Sequence, residues 1–97
     1  MGEKTDKNLA YAFAAESKAS VRNEAFAKKA DKDNYPRIAH LFRAVSEAES
    51  VHARLFLLLM RGKVRSTEEN LEAAFQNEIK AYLCSRNFIN HLAFAKF

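Results

Sequence analysis

Two glutamates and a histidine carry the chemistry this sequence offers: Glu16, and the pair Glu49 and His52 within Glu49-Ser50-Val51-His52. Carboxylate oxygens and imidazole nitrogen are the donors that iron, manganese and zinc accept. A Glu-x-x-His pair on a helix sets both side chains on one face about one turn apart, so that they can address neighbouring ions. All three residues stand where apolar side chains belong. On the second helical segment Ile38, Phe42, Val45, Glu49, His52, Phe56 and Leu59 step alternately by four and three, with Leu41 and Leu55 widening the face. Glu16 shares a stripe with Ala12, Phe13 and Ala19, and Glu78 takes the same place in a third segment. Burying such groups without partners is costly, and a cation removes the cost. Glu47, Glu68, Glu72 and His40 lie off these stripes and belong to the surface.

Long helices must position these groups. Two glycines and one proline in 97 residues leave few places to turn, and 48% hydrophobic content argues for a packed core over disorder. Alanine, leucine, lysine, glutamate and arginine favour helix, so the expected class is all-α. Thr5 is a plausible N-cap for a first helix over about 5–31, which Asp31-Lys32-Asp33-Asn34 interrupts. Pro36 suits the first turn of a second helix over about 35–61, closed by Gly62 and roughly 40 Å long. The short link makes the two helices an antiparallel hairpin. Ser66 and Glu69 form a possible capping box for a third helix from 67 to the mid-80s. Beyond Glu78 no acid remains, and Phe88, Phe94 and Phe97 crowd the tail, where His91 is a weak ligand candidate.

The first and third segments repeat. Thr5, Asn8, Leu9, Ala12, Phe13 and Glu16 return in register as Thr67, Asn70, Leu71, Ala74, Phe75 and Glu78, and Lys18-Ala19 as Lys80-Ala81. Helices converge easily on Leu and Ala, but not on the Asn, Phe and Glu together. The natural reading is a duplicated helical hairpin. Residues 1–97 then read as one domain that looks like three-quarters of a four-helix bundle, without the fourth helix.

The remaining composition narrows the classes. A net charge of +4, from 16 basic and 12 acidic residues, is a small excess. Its clusters, Lys28, Lys29 and Lys32 and then Arg61, Lys63 and Arg65, fall near expected helix C-termini, where cations complement the dipole. They lack interleaved aromatics, so no nucleic-acid partner is expected. Cys84 alone excludes a disulfide framework and a CxxC pair. No leader-like segment or membrane-length apolar run is present, so a cytoplasmic protein without a membrane partner is expected.

At Lys4-Thr5-Asp6-Lys7-Asn8-Leu9, Ala12-Phe13-Ala14-Ala15-Glu16-Ser17 and Ala48-Glu49-Ser50-Val51-His52-Ala53, the chain resembles the ferritin-like domain of the rubrerythrin family. The resemblance covers roughly residues 4–80, and Thr67-Glu68-Glu69-Asn70-Leu71 is similar to the opening of that family's second hairpin. It implies a non-haem site of two iron ions, with manganese or zinc as other occupants. It also implies reduction of hydrogen peroxide, or alternatively oxidation of ferrous iron. By position, Glu16 would be a terminal ligand, Glu49 a bridging carboxylate, His52 a terminal or switching ligand, and Glu78 the second-half counterpart of Glu16. The departures are Ala81 where a further glutamate is usual, Asn23 where a tyrosine is common, and no fourth helix or cysteine-rich rubredoxin domain. One chain therefore holds an incomplete ligand set. The expectation is a homodimer that pools two copies of Glu16, Glu49 and His52, re-reduced by an external rubredoxin-like donor. The remaining reading is a metal-free helical interaction module.

Overall fold

The computed structural model describes residues 2–96, and side chains through Arg86. His91, Phe88, Phe94 and Phe97 lie outside the described side chains. Three helices account for the described chain: α1 (Glu3–Lys32), α2 (Pro36–Leu59) and α3 (Thr67–Lys96). The all-α expectation holds, and the described residues contain no strand. Two compact units result, Met1–Val64 and Arg65–Phe97.

The helix ends differ in part from the sequence reading. α1 begins ahead of Thr5, at Glu3 after Gly2, and no side chain caps it. Asp6 N–H reaches the Gly2 carbonyl at 3.2 Å, so the first turn closes on backbone alone. Asn34, at φ 64, makes the left-handed step out of α1, a conformation Asn tolerates better than most residues. Pro36 opens α2 as expected. α2 stops at Leu59, earlier than the reading to residue 61. Met60 is its C-cap, and Gly62, at φ 72, supplies the left-handed residue of the turn beyond. α3 runs on to Lys96 rather than ending in the mid-80s. Residues 67–96 contain neither Gly nor Pro, so no backbone signal stops the helix, whatever the change in side-chain composition.

The first unit is an antiparallel hairpin held by two interlocking stripes. Along α1, Leu9, Phe13, Glu16, Ser20, Asn23, Ala27 and Ala30 are half-buried or buried. Along α2 the matching residues are Ala39, Phe42, Ser46, Glu49, Ala53 and Phe56, continued by Met60. Both series step by three and four, the seam of a coiled coil. The buried members are small apart from Met60: Ala27 and Ala30 on α1, and Ala39, Ser46 and Ala53 on α2. Small residues let the backbones approach, and two serines use that closeness. Ser20 Oγ donates to the Ser46 carbonyl at 2.9 Å, and Ser46 Oγ to the Ser20 carbonyl at 2.7 Å. Near the turn, Phe26 and Phe42 meet edge to face at 5.4 Å. Arg43 pairs with Asp31 at 2.8 Å. At the open end, Arg61 pairs with Asp6 at 2.7 Å.

This seam is not the one the sequence suggested for α2. Of that face, Phe42, Glu49 and Phe56 turn toward α1, but Ile38, Val45, His52 and Leu59 are exposed on the neighbouring stripe. A three-and-four pattern on so apolar a helix fits two adjacent stripes. The small residues of one stripe pack in the hairpin, and the large residues of the other remain open. The second basic cluster also differs: no basic residue occupies the last turn of α2, and Arg61 and Arg65 make ion pairs instead.

In the second unit the opening of α3 is well tied. Ser66 Oγ accepts the Glu69 N–H at 3.2 Å and donates to Glu69 Oε1 at 2.9 Å. The carboxylate thus answers the hydroxyl, whereas a full capping box would have it accept from the Ser66 N–H. Asn70 holds Arg65 from both sides, accepting its N–H at 2.8 Å and donating to its carbonyl at 3.0 Å.

Candidate metal centre

Glu16 lies at the middle of α1 because the seam spacing passes through it, and Glu49 lies at the middle of α2 for the same reason. His52, one turn after Glu49, falls on the edge between the seam and the open stripe. The antiparallel pairing brings His52 level with Glu16, with Nδ1 3.7 Å from Glu16 Oε1. Their side chains are 56% and 29% exposed respectively, so water screens the pair and its contribution to stability is small. Glu49 is half-buried and takes a different partner: Asn23 Nδ2 donates to Glu49 Oε1 at 2.6 Å. Two carboxylates, one imidazole and one amide therefore occupy about two turns along a single flank of the hairpin.

The donor types suit iron, since oxygen from carboxylate and nitrogen from imidazole satisfy a borderline divalent ion. Within the chain the ligands are not gathered. Among the described residues no group of three His, Cys, Asp or Glu side chains is placed to hold one ion. Glu16 stands with His52, and Glu49 is turned to Asn23. Glu78 is exposed on α3, and His40 is exposed on α2 as expected. The donor types thus suit a carboxylate- and imidazole-ligated ion, and the described side chains of one hairpin do not by themselves gather three of them around one point.

The family model described as Rubrerythrin matches residues 7–96. The chain belongs to the rubrerythrin family. A rubrerythrin of Porphyromonas gingivalis is 38% identical over 89 residues, covering 79% of this chain and 44% of the relative. A nigerythrin of Nitratidesulfovibrio vulgaris is 36% identical over 86 residues, covering 89% of this chain and 41% of the relative. A rubrerythrin of the same organism is 40% identical over 62 residues. The chain spans less than half the length of these relatives. The family match reaches beyond the roughly 4–80 range of the sequence resemblance and takes in all of α3.

Asn23 and the two serines went unrecognised as participants in the sequence. Asn23 registered only as a departure from the family pattern. A signal for it was present: it lies seven residues after Glu16, two turns along the same stripe. Ser20 and Ser46 are small polar residues in a seam, which reads as weak packing until the reciprocal bonds are seen. No helix among the described residues is long and apolar enough to cross a membrane.

Proposed function

We propose that this chain is a rubrerythrin-type non-haem di-iron protein that reduces hydrogen peroxide, with its site completed by a second copy. What supports the reading most is the open stripe of α2. Ile38, Leu41, Val45, Leu55 and Leu59 are all exposed, and His52 lies among them at the same spacing. A contiguous apolar face of this length in water favours association. A symmetric pairing would set the ligand flank of one hairpin against that of its copy. Two copies of Glu16 and of the Glu49/His52 pair make four carboxylates and two imidazoles. That is the set of carboxylate-bridged two-metal bundles, a Glu from each of two helices and a Glu-x-x-His from each of the other two.

In this assembly Glu16, Glu49 and His52 of both copies would hold the iron. The bound metal would supply the two electrons that, with two protons, convert one hydrogen peroxide to two waters. A separate rubredoxin-like protein returns the electrons. Glu78 is the separable member of the proposal, because the paired hairpins form a full set without it.

Elemental analysis and solution mass of the purified chain test this together. The expected result is a dimer with about one iron per chain. Glu49→Ala and His52→Ala are each expected to lower iron affinity by tenfold or more, roughly the smallest effect seen when a metal site is disturbed. A monomer without metal, whose Glu49→Ala variant melts higher than the native chain, supports the metal-free module instead. If Glu78→Ala also loses iron, α3 contributes a ligand and the paired-hairpin set is wrong. Faster turnover with O2 and ferrous iron than with peroxide reassigns the activity to iron oxidation.

A further inference from the structure

Asn23 occupies a seam position where an apolar residue would pack better. Its neighbours along the stripe, Ser20 and Ala27, are small and half-buried or buried. A polar amide at such a place in a helical seam costs stability, and here its described side-chain partner is a proposed metal ligand. The 2.6 Å bond to Glu49 Oε1 is the shortest side-chain hydrogen bond among the described residues. A carboxylate that joins two ions through its two oxygens needs a lone pair on each aimed at its ion, and the amide occupies one of the two on Oε1.

We propose that Asn23 is a positioning residue that staggers metal loading: with its amide on Oε1, Glu49 turns its other oxygen to a first ion, and a second ion must compete with that bond at Oε1. The inference rests on the proposed di-iron reading. The amide neither gains nor loses a proton in the physiological range, so its hold on Glu49 is lifted by side-chain rotation alone. The hydrogen bond lies within one chain and needs no partner, so the hairpin meets its first ion with Glu49 already fixed.

Titration of the metal-free full chain with Co(II), followed by its visible absorption and by calorimetry, reads the two steps separately. The native dimer is expected to bind its second ion more weakly than its first. In Asn23→Leu, which keeps the side-chain size and removes the donor, the ratio of the two affinities should shrink by about tenfold or more, the equivalent of one hydrogen bond to a charged group. Asn23→Gln, which retains an amide, should restore part of the stagger. An unchanged ratio in Asn23→Leu overturns this inference and leaves the di-iron reading intact. Equal weakening of both steps, together with a lower melting temperature of the metal-free protein, also overturns it, because Asn23 then serves the seam alone. Absence of Co(II) binding in every variant overturns both proposals.

Discussion

α1 and α3 carry nearly the same signature and use it differently. Leu9, Phe13 and Glu16 are half-buried in the hairpin, whereas their counterparts Leu71, Phe75 and Glu78 are exposed, Leu71 by 71% and Phe75 by 58%. Glu16 stands beside an imidazole. The two asparagines exchange roles as well. Asn70 fastens Arg65 ahead of α3, while Asn8 is exposed and α1 has already begun at Glu3, five residues before it. The same residues at the same spacing thus make a site element in one place and a bare stripe in the other. What differs is the helix packed alongside, which in the first unit supplies His52 and the seam of Ala39, Ser46 and Ala53.

The comparison is most open to challenge at the bare faces. Leu55→Lys sets a charge on the open stripe of α2, and burying an ammonium there costs on the order of 3 kcal/mol or more. The expected outcome, by mass in solution and iron content, is a monomer with its metal largely lost, a weakening of association of at least about a hundredfold. Phe75→Lys on α3 should leave both quantities unchanged. If Phe75→Lys dissociates the protein and Leu55→Lys does not, α3 rather than α2 presents the working interface.

A smaller effect is expected inside the seam. Ala39 is fully buried, so Ala39→Leu should destabilise the chain by about 1–3 kcal/mol through overpacking, read as a lower urea midpoint. Ala73, exposed on α3, should accept Leu within about 0.5 kcal/mol. Equal responses at the two positions would mean that the seam yields more readily than its burial suggests.

The smallest expected difference lies between the paired asparagines. Asn70→Ala removes two hydrogen bonds that precede α3 and should cost about 1 kcal/mol. Faster amide exchange in the first turn of α3 would report it. Asn8→Ala lies inside α1 and should be neutral or slightly stabilising, because alanine is the better helix former. A loss of stability at Asn8 would reveal a contact for it beyond those described.

Much of the architecture could be read from the chain before any coordinates. Scarce glycine and proline, the interruption at Asp31–Asn34 and the Ser66 cap place three helices within a few residues of their ends, except for the C-terminal end of α3, and the 62-residue repeat points to a duplicated hairpin. Glu16 and the Glu49/His52 pair stand out because charged groups interrupt apolar stripes. Asn23 did not stand out, since an amide in a helix has no signature until its partner on the other helix is known. Phe42 and Phe56 were placed correctly with Glu49, but Val45 and Leu59 were assigned to the same face only because periodicity cannot separate two stripes some tens of degrees apart.

Composition and spacing alone determine that this chain is helical and which acids and imidazole interrupt its apolar stripes, because both follow from the local periodicity of the helix. The choice of stripe, the crossing of Ser20 with Ser46, the 3.7 Å approach of Glu16 to His52 and the hold of Asn23 on Glu49 were decided by the packing of α1 on α2. Those depend on how closely two backbones can approach. Small buried side chains set that distance, and no single helix contains the information.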